Sequence, residues 1–291
     1  MPRLGIGNVV CLETLDSATT ATDHAMRILI ALIMLAAAAG CETVDTTRPG
    51  AVGVERHQRM LVSSQEVDQA AAQEYRKVIA QAQQKGTLDR NAEHVSRVRA
   101  VSSRLIPATA AFRPDATRWA WEVHVIQDNQ LNAWAMPGGK MVVYSGLIEK
   151  LRLTDDELAA IMGHEIAHSL REHARERVSQ EMATSVGVGV VGAVLGLGDV
   201  GQDLAGALAN VTFTLPHSRG QETEADRIGV ELAARAGYNP HAAVSVWQKM
   251  LQAAGGGGPQ FLSTHPSPEN RLTDLKVYAD RVTPLYQQAR R

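Results

Sequence analysis

Two histidines and a glutamate in the pentapeptide HEIAH, His164, Glu165 and His168, have the types and spacing of a metal site that activates water. On an α-helix positions 164 and 168 are one turn apart, so both imidazoles project from one face and can hold one ion. A Zn2+ bound by two imidazoles and a carboxylate keeps a position for water, acidifies it and polarises a carbonyl. Glu165, beside the ligands and not one of them, is placed to take the water's proton and pass it to a leaving amine. Three fixed positions in five arise by chance in about one chain of this length per hundred, so the surroundings must carry the assignment.

A third ligand is needed. The metzincin arrangement requires Gly at position 171 and His at 174, where Arg171 and Ala174 stand, and is excluded. His173, five residues past His168, falls about 140° around a continuous helix from it, which directs it to another face. Residues 218–229, SRGQETEADRIG, offer Glu222 and Asp226 at i, i+4 on a predicted helix. One carboxylate can ligate the metal while the other orients a ligating imidazole through its second nitrogen. Glu222 ranks ahead of Glu224, which lies between the two and points elsewhere.

HEIAH, SRGQETEADRIG, residues 263–272 (STHPSPENRL) and residues 132–148 (NAWAMPGGKMVVYSGLI) together resemble a family of gluzincin metallopeptidases. That family includes the CAAX prenyl endopeptidases, the HtpX and Oma-type proteases and the periplasmic beta-barrel assembly-enhancing protease. The resemblance covers residues 119–272. It implies one Zn2+ per chain on His164, His168 and Glu222, with Glu165 as general base and Asp226 holding a ligand histidine in place. In the beta-barrel assembly-enhancing branch, a histidine matching His265 can occupy the open metal position and hold the enzyme closed. Residues 255–258, four glycines, would be a hinge upstream of it. Arg271 matches the family's arginine and would stabilise an oxyanion. The resemblance further implies protein substrates, envelope proteins in particular, and zinc-dependent endopeptidase activity in quality control. The alternative is a periplasmic chaperone or outer-membrane assembly factor with little proteolysis. Unlike the CAAX endopeptidases, the sequence has no set of transmembrane helices.

The elements that must position these groups are also legible. Thr154 and Glu157 form a capping box, with Leu153 and Leu158 at the staple positions, so a helix over residues 154–177 carries HEIAH well inside its ends. Helices are predicted over 64–84 and 89–106; in the second, Val95, Val98, Val101 and Leu105 recur at helical spacing, and Pro107 stops it. Alternation of apolar residues from Trp119 to Val125 predicts a strand over 119–126, and a second strand, 140–144, follows the turn signal Pro137-Gly138-Gly139. Trp134 belongs either to an edge against which an extended peptide lies or to the core. Pro266 biases His265 to extended backbone, and Ser267 and Pro268 start a helix. The expected fold is α+β and zincin-like, mostly helical with a small sheet packed beside the HEIAH helix. Uncharged residues 182–198 are expected as a helix and loop over the cleft, with contact to a membrane as the alternative. His57, His94, His217 and His241 are isolated, and none is expected as a ligand.

The chain of 291 residues, 45% apolar and 21% charged with a net charge of −2, has a globular composition and no basic, aromatic-interleaved cluster for nucleic acid. Residues 26–41, MRILIALIMLAAAAGC, place one Arg before an apolar run too short to span a bilayer, which predicts a secretion signal. The acidic residues before Met26 suit a signal poorly, so Met26 is the expected start. Ala38-Ala39-Gly40-Cys41 resembles a lipobox, in which the cysteine is acylated after cleavage, and Glu42 behind it suggests the outer membrane. The expected organisation is therefore a signal over 1–40, lipidated Cys41 and a polar tether over 41–60, and a metallopeptidase domain over 61–291. That arrangement makes an outer-membrane lipoprotein in the cell envelope, facing the periplasm and held to the membrane by its lipid. The outer-membrane assembly machinery is the partner this location suggests. With only Cys11 and Cys41 in the sequence, the mature protein would contain no disulfide.

Overall fold

The HEIAH segment sits on a helix that is buried on every side, and the rest of the fold is arranged around it. The computed structural model describes residues 42–194, 204–253, 260–266 and 269–291. The signal segment, Cys41, the glycines at 255–258 and the Ser267-Pro268 helix start lie outside the described residues. Thr43–Arg291 form one compact unit.

In chain order, strands β1 (Glu42–Val44) and β2 (Gln58–Met60) precede helices α1 (Ser64–Gln84) and α2 (Ala92–Ala108). Strands β3 (Glu122–Ile126), β4 (Ala133–Met136) and β5 (Lys140–Tyr144) then lead through α3 (Ser145–Lys150) into α4 (Asp155–Leu170). The remaining helices are α5 (His173–Val194), α6 (Leu204–Phe213), α7 (Arg219–Arg235), α8 (Ala242–Ala253), α9 (Gln260–Thr264) and α10 (Arg271–Ala289). This is the expected α+β, zincin-like arrangement. No helix among the described residues is long and apolar enough to cross a membrane.

Helix α4 begins where its capping box predicts: the Thr154 side chain accepts from the Glu157 N–H, and the Glu157 carboxylate accepts from the Thr154 N–H. A cap of this kind is worth about 1 kcal/mol. From Glu157 to Leu170 every residue is buried. The predicted extension to 177 is wrong: the helix ends at Leu170, Glu172 takes a left-handed φ of 49°, and a separate helix, α5, starts at His173.

Parallel pairing joins β3 to β5, and antiparallel pairing joins β5 to β4, giving the order β3-β5-β4 with β4 at the edge. The strand expected from Trp119 starts at Glu122. Ahead of it the Trp119 and Trp121 rings stack, and Trp121 Nε1 donates to the Ala116 carbonyl. Edge strand β4 carries Trp134, for which the sequence leaves an edge or the core open; it lies against α4, where Ser169 Oγ donates to the Met136 carbonyl. Trp134 is in the core, 4% exposed, with Tyr75 and Phe213 edge-on to it.

Helices α4 and α7 cross at two glycines. A Cβ on Gly163 would stand 2.8 Å from the Gly229 carbonyl oxygen, and one on Gly229 would stand 2.7 Å from the His164 nitrogen. Gly229 follows Glu222 and Asp226 at helical spacing, so the face that touches α4 also brings both carboxylates to it. Gly229→Ala has backbone to displace on both sides, and overpacking of this kind costs about 1–3 kcal/mol. The expected result is a lower denaturant midpoint together with weaker retention of bound metal.

The expected tether over 41–60 needs correction for its described part. Val52, Val54, Gln58 and Met60 are buried, and Val52 and Val54 belong to the main apolar core. The Val52 N–H donates to Glu231 Oε2 on α7 at 2.9 Å. This stretch has no regular apolar period because it packs largely as irregular backbone.

Candidate active site

One turn of α4 separates His164 from His168, and α7 presents Glu222 across from them. His164, His168, Glu222 and His265 each place one donor atom so that all four lie within 4.8 Å of one another, and all four residues are buried. His168 Nε2 is 3.0 Å from His164 Nε2 and 3.3 Å from Glu222 Oε1. His265, just after α9, sets Nδ1 2.9 Å from Glu222 Oε1 and 3.2 Å from His164 Nε2.

The other nitrogen of each ligand candidate is also held. His164 Nδ1 is 2.9 Å from Asp226 Oδ1, as the i, i+4 reading of α7 requires. His168 Nδ1 meets His173 Nδ1 at 2.8 Å, a partner the sequence reading sent to another face. The break at Arg171 and Glu172 is the reason, because His173 opens a new helix instead of continuing α4.

Glu165 projects beside this cluster. Its Oε2 accepts from the N–H of Ala135 on edge strand β4 at 3.2 Å, its Oε1 has no hydrogen-bond partner, and His265 Nε2 is 3.5 Å from Oε1. Burial raises its pKa, against the pull of His265 and His164. For Glu222 burial acts the same way, but the imidazoles of His265 and His164, with bonds from His168 and His265, outweigh it and hold the carboxylate well below its usual range. Burial pushes the His168 imidazole well below its usual value, which favours the neutral, metal-binding form.

These residues fit a zinc ion. The donor set is imidazole and carboxylate, the types Zn2+ takes in hydrolytic sites. Glu222 Oε2 is fully buried and pairs with the Arg271 guanidinium, whose Nη2 is 3.0 Å away. Arg271 is the cation that faces this oxygen, so the fit to zinc rests on the donor set and on the convergence of His164, His168, Glu222 and His265.

Arg271 donates from Nη2 to Asp226 Oδ1 at 2.7 Å and lies over the Trp247 ring with its guanidinium carbon 3.2 Å from the centroid. That Nη2 therefore serves carboxylates of the site. His217, isolated in the sequence, stands beside the cluster. Its ring lies 4.0 Å from that of His168 and 5.0 Å from that of His265, and it lines a cavity with Glu165, His168, His265 and Trp134. No local pattern marks it, since it sits in the loop before α7. Its backbone N–H donates to the Thr264 carbonyl beside His265.

Glu224 does not point into solvent. Its Oε2 accepts from Arg171 Nε at 3.0 Å and lies 3.1 Å from His173 Nε2, while Arg56 Nε donates to its Oε1. Despite burial, the bonds from His173 and Arg56 and the Arg171 charge lower its pKa to about 2. Glu176 accepts from Arg56 and Gln221, which closes a network that runs from behind the ligand cluster to the surface at Arg56.

Residues 92–279 match Peptidase family M48. Among curated proteins, mitochondrial metalloendopeptidase OMA1 of Schizosaccharomyces pombe is 39% identical over 160 residues, covering 54% of this chain and 46% of the relative. Metalloendopeptidase OMA1, mitochondrial, of Bos taurus is 34% identical over 208 residues, covering 67% of this chain and 38% of the relative. The beta-barrel assembly-enhancing protease of Escherichia coli is 33% identical over 180 residues, covering 57% of this chain and 36% of the relative. The chain thus spans about half the length of these relatives or less. The matched region holds HEIAH, Glu222, Asp226, His265 and Arg271, so the cluster built by α4, α7 and the segment after α9 lies wholly inside it, and the chain belongs to Peptidase family M48.

Proposed function

We propose that this protein is a zinc-dependent metalloendopeptidase that hydrolyses peptide bonds in proteins of the cell envelope. The observation that carries the reading is the convergence of His164, His168 and Glu222 beside a buried Glu165 that is not a ligand. Those three residues would hold the ion, and zinc there supplies a Lewis acid that polarises a peptide carbonyl and acidifies water. Glu165, with Oε1 free of hydrogen bonds and its pKa raised, takes the proton of the attacking water and delivers it to the leaving amine. Asp226 fixes the His164 ring, and Arg271 holds Asp226 and Glu222 in place. An extended substrate fits along β4, whose outer edge is unpaired in its sheet and carries the Ala135 N–H at Glu165.

Residues 26–41 support export and acylation at Cys41, hence an outer-membrane lipoprotein working on misfolded or misassembled envelope proteins beside the outer-membrane assembly machinery. The test is cleavage of an unfolded model protein by the zinc-loaded chain, with a chelator and with Glu165→Gln as controls. Equal action by the wild type and Glu165→Gln, with protection from aggregation intact, supports the assembly-factor alternative and sinks the protease reading.

His265 serves as a latch in this proposal. It fills the space between Glu165 and Glu222, and its ring is stacked between Phe261 at 4.2 Å and His217 at 5.0 Å. A substrate carbonyl needs that space, so His265→Ala is expected to raise the initial rate of cleavage. An unchanged rate in the folded, zinc-loaded variant counts against the latch.

A further inference from the structure

A histidine that binds metal through one nitrogen must leave that nitrogen bare and carry its proton on the other. For His164, Asp226 enforces this directly. Among the described residues no carboxylate reaches His168 Nδ1; its neighbour there is another imidazole, His173 Nδ1, at 2.8 Å. Two ring nitrogens at that distance share one hydrogen, and the pair alone does not decide which of them carries it.

The decision is made on the far side of His173. Its Nε2 lies 3.1 Å from Glu224 Oε2, and Glu224 is an anion held by Arg171 and Arg56. An ionised carboxylate only accepts hydrogen bonds, so His173 Nε2 must donate. A metal on His168 Nε2 requires the hydrogen on His168 Nδ1 and so an accepting nitrogen on His173, and Glu224, already paired with the Arg171 guanidinium, supplies the acceptor that takes the His173 hydrogen at Nε2. His173 Nδ1 is then a bare acceptor, His168 Nδ1 must carry the hydrogen, and His168 Nε2 is left bare toward Glu222 and His164.

We propose that Glu224 and His173 are positioning residues that act in series to fix the metal-binding tautomer and ring orientation of His168, with Arg56 of the N-terminal segment anchoring the far end. Arg171 is the inner anchor. Its Nη2 donates to the Arg56 carbonyl and its Nη1 to the Thr46 and Thr47 hydroxyls, so residues 46–58 pack directly against the support of the site. The segment expected as a tether becomes part of the metal centre's framework. The inference rests on the metallopeptidase reading above.

The test uses the full chain, with zinc affinity measured by competition against a chelator and the ligand field read from the visible bands of the cobalt-substituted protein. His173→Leu is expected to weaken zinc binding by about 10- to 100-fold, the usual cost of losing such a partner, and to shift the cobalt bands. In activity it should lower kcat and leave KM unmoved. His173→Gln keeps one acceptor and one donor on a single side chain and should bind zinc more tightly than His173→Leu. Arg56→Ala should weaken zinc binding in the same direction. Folding is checked by the melting of the metal-free proteins, and if His173→Leu does not fold, His173→Phe, which keeps a ring, takes its place. A folded apolar variant with wild-type zinc affinity and cobalt spectrum, or a Gln variant no better than the apolar one, overturns the relay. A wild-type chain that binds no zinc overturns the metallopeptidase reading and the relay with it, so the two failures are told apart.

Discussion

Glu165→Gln is expected to lower peptide-bond cleavage by about 10²- to 10⁴-fold, the range contributed by a positioned general base, while the protein keeps its zinc. That factor corresponds to about 3–5.5 kcal/mol of lost transition-state stabilisation. Retention of metal follows from position: Glu165 is not among the four residues whose donor atoms converge. The amide has the size of the carboxylate, and its oxygen can still accept from the Ala135 N–H, so edge strand β4 should not move. What the amide lacks is the basic Oε1 that faces the reacting space. The check pairs initial rates on an unfolded protein substrate with zinc content after dialysis. Loss of zinc from the variant would show Glu165 to be a ligand, and an unchanged rate would show that it is not the base.

Glu222→Ala is expected to remove the metal and to destabilise the fold by about 3–5 kcal/mol, the cost of breaking a buried charge cluster on one side. Glu222 is fully buried, with His265 Nδ1 at 2.9 Å, Arg271 Nη2 at 3.0 Å and His168 Nε2 at 3.3 Å. Without it Arg271 keeps only Asp226, and three imidazoles face one another across a cavity. Glu222→Gln separates the two effects, because it keeps the volume and lowers zinc affinity without emptying the site. Glu224→Gln is the matching control: by the geometry it should weaken the metal site indirectly, through His173, while leaving its ligands in place. Zinc content and the denaturant midpoint of each variant decide the matter. Stoichiometric zinc in folded Glu222→Ala would move the third-ligand role elsewhere.

The cluster is shielded by the elements that form it. Helix α4 meets α7 at Gly163 and Gly229, and the sheet covers α4 through β4. Helical glycines lose about 0.5–1 kcal/mol against Ala, and here that cost admits backbone contact between the two helices that supply the ligands. Gly163 and Gly229 meet only in the folded chain, and nothing local to either helix pairs them.

What the sequence determined by itself is what local geometry encodes. HEIAH behind the Thr154 capping box, and Glu222 with Asp226 at i, i+4, specify same-face groups on two helices, because a turn of helix repeats every few residues whatever surrounds it. Tertiary structure decided the rest. A left-handed φ at Glu172 breaks the predicted helix and returns His173 to His168, and no periodicity rule places such a break at a glutamate. Glu224, between two site carboxylates, turns to the opposite side and finds Arg56, 168 residues away along the chain. Residues 46–60 look like a tether because their anchors are Arg56, Gln58 and scattered apolar side chains in irregular backbone, which leave no repeating signal. His217 and His265 come together because the loop before α7 bonds to the end of α9. The break at Glu172 returns His173 to a residue only five positions back, but the other placements depend on partners far along the chain, where local helix and strand geometry places no constraint on which residues meet.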